Sequence, residues 1–185
     1  SYQNYSPNYH LSKVMGEGYE PGADWIEWGS GSAGWLYIYQ MSGLEVYIHG
    51  YESDFSYNVN DIIRFDGSFS ATRGENLTDS SSLYYMPPDR ILLSTEINLL
   101  PFSINLMHKK VFSQNRIGLY ESSTPGYETY NLIGTYTIRN SWAVHKIILQ
   151  VDNVFDRKYY NHLSRIKSIM PEKGRNIGLQ YRLNF

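Results

Sequence analysis

Asn176-Ile177-Gly178-Leu179-Gln180-Tyr181-Arg182-Leu183-Asn184-Phe185 closes the chain, and the way it alternates decides the fold. Ile177, Leu179, Tyr181, Leu183 and Phe185 stand against Asn176, Gly178, Gln180, Arg182 and Asn184, with no exception over the stretch. Side chains of a strand point alternately to opposite faces, so this is a strand with one apolar and one wet face. The same period recurs upstream. Ala143, Ile147, Leu149 and Val151 oppose Lys146, Gln150 and Asp152, and Tyr130, Leu132, Tyr136 and Ile138 oppose Asn131, Thr135, Thr137 and Arg139, with Ile133 the misfit. Phe102, Ile104 and Leu106 oppose Ser103 and Asn105, Ile91 to Leu99 alternate with Arg90 to Asn98, and Ile63, Phe65 and Phe69 alternate with Arg64, Asp66 and Ser68. A longer segment from Trp35 to Glu52 sets Leu36, Ile38, Leu44, Val46 and Ile48 against Glu45 and His49. No segment carries a helical period, so the chain reads as all-β.

Strand length separates the β architectures. Sandwich strands cluster at about five or six residues, whereas a tilted membrane strand needs roughly nine to eleven. The alternating segments here reach that longer range. Tight turns fall near 53–59, at Leu100-Pro101 and at Asn140-Ser141-Trp142, while long connections fill 73–87, 113–128 and 153–174. Short turns at one end and long loops at the other are the asymmetry of outer-membrane barrels, with the long loops outside the cell. Residues 1–34 carry Tyr2, Tyr5, Tyr9, Tyr19, Trp25 and Trp28 among Gly, Pro and Ser. They read as a long aromatic extracellular loop with, at most, the end of a preceding strand, and residues 35–185 as the barrel strands. Seven strands are clear and an eighth is doubtful; free-standing bacterial barrels have an even number, so the count favours a piece of something larger.

Composition agrees. The 185 residues are 42% hydrophobic but only 18% charged, and 18 Tyr with 4 Trp bring aromatics to 16%. Rings with a polar tip suit a boundary that is greasy on one side and wet on the other. A net charge of −2 without a basic cluster argues against nucleic-acid binding. The absence of cysteine removes disulfides and thiolate metal sites. No apolar run is long enough for a transmembrane helix, and the mean hydropathy of −0.44 is ordinary for strands with one lipid and one lumen face.

Several motifs, in order along the chain, resemble those of TonB-dependent outer-membrane receptors. They are Gly43-Leu44-Glu45, Arg73-Gly74-Glu75-Asn76 through Met86-Pro87-Pro88-Asp89-Arg90, Thr124-Pro125-Gly126-Tyr127 ahead of Tyr130-Asn131-Leu132, and Asn153-Val154-Phe155-Asp156-Arg157-Lys158-Tyr159-Tyr160-Asn161-His162. Pro171, Gly174-Arg175 and the closing strand follow as they do in the family. The resemblance implies the C-terminal seven to eight strands of an antiparallel transmembrane β-barrel of about 22 strands with a plugged lumen. It also implies energised import, across the outer membrane of a Gram-negative bacterium, of a scarce ligand such as an iron–siderophore complex or cobalamin. The implied partners are outer-membrane lipid, the rest of the receptor with its plug, a TonB-type energy transducer contacted through a part preceding Ser1, and a small ligand the sequence does not identify. Leu179, Tyr181, Leu183 and Phe185 resemble the terminal signal read by the outer-membrane assembly machinery.

Trp25, Trp28, Tyr84, Tyr85 and Tyr127 fall on the long loops and are the candidate ligand contacts, with interface anchoring or loop packing as the plainer role. His162 sits inside the receptor-like motif and reads first as a loop-packing residue and second as a ligand contact. His49, His108 and His145 lack partners at metal-ligand spacing, and Asp54, Asp61, Glu75 and Asp79 match no calcium loop. Gly16-Glu17-Gly18 and Gly29-Ser30-Gly31 precede no helix and read as loop. With no nucleophile elbow, zinc motif or carboxylate pair, the expectation is a non-enzyme without cofactor or metal. Two rivals stay open: a free-standing eight-stranded outer-membrane barrel with an adhesive or structural role, and a soluble β-sandwich binding carbohydrate through its aromatics.

Overall fold

The computed structural model describes residues 2–5, 26–27, 35–36, 44–118 and 121–185, so Trp25 and Trp28 lie outside the described residues. Ten strands follow in order: β1 (Tyr2–Tyr5), β2 (Ile26–Glu27), β3 (Trp35–Leu36), β4 (Leu44–Asn58), β5 (Ile63–Asn76), β6 (Arg90–Leu99), β7 (Phe102–Val111), β8 (Tyr127–Arg139), β9 (Val144–Asp152) and β10 (Asn176–Asn184). No helix occurs among the described residues.

The chain divides into two compact units. In the first, Ser1–Ile48 with Gly74–Ser81, β1 pairs antiparallel with the start of β4 from Tyr2↔Tyr47 to Tyr5↔Leu44, and β2 pairs with β3. The Leu77 amide donates to the Glu45 carbonyl at 2.9 Å, and Val46 is buried.

The second unit, His49–Arg73 with Ser82–Phe185, is one antiparallel sheet whose strands follow chain order from β4 to β10. Its registers test the alternation strand by strand. Ile63 faces Ile97, Ile97 faces Ile104, Ile104 faces Gly134, Gly134 faces Leu149 and Leu149 faces Leu179. Directly paired residues share a face. The apolar sets read from Ile63 to Phe185 therefore fall on one face, and Asp66, Ser94, Met107, Asn131, Gln150 and Gly178 mark the other. A slip of one residue in any ladder would have mixed the two.

The apolar face is uncovered: Leu179 is 75% exposed, and Phe65, Ile104, Leu106, Ile138, Ile147 and Ile177 are also exposed. Among the described residues of this unit, only Val111, Tyr127 and Ala143 are buried apolar side chains. A sandwich buries one face of each sheet against the other, and among the described residues of this unit no second sheet does so. Aromatics gather toward both ends of the apolar face. Near the short turns Phe102 stacks on Tyr136 with centroids 4.8 Å apart, and His145 meets Trp142 and donates to or accepts from the Tyr181 hydroxyl at 2.7 Å. Toward the long loops His108 stacks on Tyr130 at 4.5 Å, with the Phe155 edge 5.2 Å from Tyr130. Phe102 and His108 lie six residues apart on β7, roughly 20 Å along the strand.

The segment read as one from Trp35 to Glu52 falls in two sheets, with β3 pairing with β2 and β4 beginning at Leu44 in the larger sheet, and one further boundary differs from the sequence reading. The turn expected near 53–59 is strand: β4 runs to Asn58, and the turn is 59–62, where the Asn60 carboxamide oxygen accepts the amides of Ile62 and Ile63, each at 2.8 Å. Glu52, Asp54, Ser56 and Asn58 looked like loop by composition; they are the polar half of an alternation whose other half is Tyr51, Phe55 and Tyr57. A Cβ on Gly67 would run into the Phe55 ring, so the glycine lets that ring lie across β5. β1 pairs with β4, and β10 pairs with β9 alone among the described residues.

Candidate functional site

The long connections of the second unit, residues 82–89, 112–126 and 153–175, are joined by a buried polar clasp. Its centre is the Glu121 carboxylate, 4% exposed, which meets Lys167 (8%) and His162 (1%). Glu121 Oε1 lies 3.1 Å from Lys167 Nζ and 2.9 Å from His162 Nε2, the latter out of line for a straight hydrogen bond. The same carboxylate accepts the amides of Tyr85 at 3.3 Å and Gly118 at 3.1 Å. His162 Nδ1 faces the Thr124 hydroxyl at 2.9 Å and Lys167 Nζ at 3.3 Å. A buried carboxylate needs paired charge and several donors, and this one takes its charged partners from the last loop and amide donors from the other two.

Further ties surround the clasp. Gln114 is buried and donates to the Met86 carbonyl at 2.9 Å, while its backbone exchanges two hydrogen bonds with Thr124. Arg73 grips both oxygens of Asp89 in a fork, and that guanidinium holds the Asp89 carboxyl below the usual carboxylate range. In the last loop Asn153 (φ 50°) exchanges side-chain hydrogen bonds with the Arg157 backbone at 2.8 and 2.9 Å, in the left-handed region asparagine tolerates. Asp156 accepts the Arg175 amide at 2.8 Å, and a Cβ on Gly174 would press on that carboxylate at 2.6 Å. The receptor-like motif is thus the frame that returns the loop to β10.

The candidate contacts separate into two groups. Tyr127 is not in a loop: it is the first residue of β8, buried, with its ring 4.3 Å from that of Tyr159. His162 is enclosed in the clasp, 1% exposed. Tyr84 packs against Gly118, where a Cβ would come within 2.6 Å of the ring. Tyr85 is exposed, with Lys167 Nζ 6.0 Å from its ring centroid. Glu121 and Lys167 escaped the sequence reading, since a single acid and a single base 46 residues apart form no motif. Among the described residues no group of three His, Cys, Asp or Glu could hold a metal ion.

Burial, together with the Lys167 charge, pushes the His162 imidazole below its ordinary value of 6.5 despite the opposing pull of Glu121. Below pH 6.5 the released loop therefore binds more protons than the closed clasp. The clasp keeps its full stability above that pH and loses it as pH falls through the window beneath. Asp89 titrates lower, below 3.8, and stays charged across this range. Protease nicking of the loops in the intact protein should rise as pH drops from about 6.5 to about 5, the ordinary span of histidine titration. His162→Gln should flatten that response; an unchanged response would remove His162 from it.

The fold defined here is an all-β antiparallel sheet of the outer-membrane barrel kind, seven long strands in chain order with the long loops gathered at one end. Among solved structures it is similar to the copper transporter OprC, with a TM-score of 0.68 and 24% identity over 78% of this chain. The chain spans only 23% of that protein's length. No family model matches the sequence.

Proposed function

We propose that the chain is the C-terminal wall and part of the loop-lined mouth of a TonB-dependent-type outer-membrane receptor that imports a scarce ligand. The observation that carries this reading is the register from β5 to β10, which leaves one continuous apolar face uncovered. A soluble monomer rarely leaves more than a few hundred Å² of contiguous apolar surface in water; against lipid such a face is the surface a barrel requires. The polar face then lines a lumen for the plug, and the clasped loops form the outer mouth where Tyr85 is open to a ligand, with Tyr84 beside it. The ordered receptor-like motifs and the fold shared with a transporter support the same reading. Leu179, Tyr181, Leu183 and Phe185 on the exposed β10 would be the strand presented to the assembly machinery. Copper is the cargo of the structural neighbour. The family that the motifs resemble takes up scarce ligands such as iron–siderophore complexes or cobalamin, and a ligand of that class would be carried without chemistry and energised through an inner-membrane transducer.

The test is the intact mass of the polypeptide from native outer membranes, joined to ligand uptake with and without a protonophore. A mass several times 21.5 kDa, with uptake that stops when the proton gradient collapses, is expected. A mass of 21.5 kDa with heat-dependent gel mobility would overturn the proposal in favour of a small closed barrel.

A further inference from the structure

Resting on that membrane reading, we infer that the outer rim of this wall holds the phosphate of an anionic lipid headgroup in a groove between β7, β8 and the start of the last loop. The groove, of ≈ 530 Å³, is lined by Lys110, Phe112, Glu128, Tyr130, Phe155 and Arg157, among others. Lys110 and Glu128 are cross-strand partners in the same register as Ile104 and Leu106, so they lie on the lipid face, just past its apolar stretch. Glu128 is already matched, with Lys110 Nζ at 2.9 Å and His108 Nε2 at 3.4 Å. Arg157 is exposed, its backbone is fixed by Asn153, and its guanidinium makes no ion pair among the described residues. The groove therefore carries one unmatched, always-charged fork at the level where headgroups sit.

The aromatic lining complements it. Phe155 is 74% exposed although its edge is anchored on Tyr130, and Phe112 is exposed with Lys110 Nζ 5.6 Å from its ring centroid. A ring held rigid yet open is costly in water and favourable at the acyl–headgroup boundary. A guanidinium binds phosphate bidentately, and flanking rings give the first acyl carbons a seat. The ligand class is a lipid phosphate and not a soluble one, because half the groove is apolar and continuous with the lipid face.

The intact protein, purified in detergent, is reconstituted into phosphatidylcholine nanodiscs with and without bisphosphorylated lipid A, and bound lipid is counted by native mass spectrometry. Retained lipid A is expected for the wild type, with about tenfold weaker retention in Arg157→Ala, the effect of one charge-assisted contact. Phe155→Ser should weaken retention without changing insertion. Equal retention in wild type and Arg157→Ala, or displacement by inorganic phosphate at equal concentration, would overturn the inference. Failure to enter phosphatidylcholine nanodiscs at all would instead overturn the membrane reading on which it rests.

Discussion

Glu121→Ala should release all three long loops of the second unit while leaving the sheet assembled. The substitution removes the carboxylate that meets both Lys167 and His162, whose side chains are 8% and 1% exposed, and orphans the Tyr85 and Gly118 amides. Removing one partner of a buried pair costs about 3–5 kcal/mol, because the remaining charge is stranded out of water. At 1.4 kcal/mol per decade, loop opening should increase roughly a hundredfold or more. Hydrogen exchange should therefore rise sharply in 82–89, 112–118, 121–126 and 153–175, with little change in β6 to β9. Glu121→Gln combined with Lys167→Met removes both charges and should recover most of the protection, since a neutral pair strands nothing. Exchange in Glu121→Ala that stays at the wild-type level would mean the clasp does not hold the loops. Uptake should fall with the released loops if the mouth they form captures the ligand.

The unequal legibility of wall and clasp follows from how each is encoded. Wall residues announce themselves by period, since every second position must be compatible with one of two environments. Ile177 to Phe185 and Tyr130 to Ile138 could be assigned to faces before any register was known, and the ladders agree. Where both halves of the alternation were aromatic or acidic, as from Tyr51 to Asn58, composition mimicked a turn and the strand was cut short. The clasp has no period. Glu121, Thr124, His162 and Lys167 converge only because Gln114 pairs with Thr124 across one loop, and because Asn153 and Asp156 fold another back on itself. Such convergence depends on turn geometry, which no local pattern records. The His162 neighbourhood was visible only as part of a motif. The same asymmetry explains Tyr127: its place in the chain suggested a loop, whereas its pairing with Val111 makes it the first rung of β8.

A single-residue offset on β10 gives the sharpest test of the wall. Leu179→Arg and Gln180→Arg introduce the same side chain at adjacent positions of an exposed strand, opposite Leu149 and Ile148 respectively. In a soluble sheet with water on both sides the two substitutions would be nearly equivalent, each within about 0.5 kcal/mol of neutral. Against lipid they are not. Leu179 shares its face with Leu149, Gly134 and Ile104, near the middle of the apolar stretch, where an arginine costs about 2–4 kcal/mol. Gln180 shares its face with polar neighbours such as Thr135, where a charge remains solvated. The expected result is that Leu179→Arg lowers the folded, heat-modifiable form recovered from outer membranes by at least tenfold, while Gln180→Arg assembles at close to wild-type yield. Because both lie in the terminal strand, a defect in recognition by the assembly machinery is separated by refolding each variant directly into lipid vesicles. A deficit for Leu179→Arg that persists there belongs to the lipid face itself, and one that vanishes belongs to the terminal signal. Equal behaviour of the two variants in both settings would mean that the apolar face does not meet lipid, and the barrel reading would fall with it.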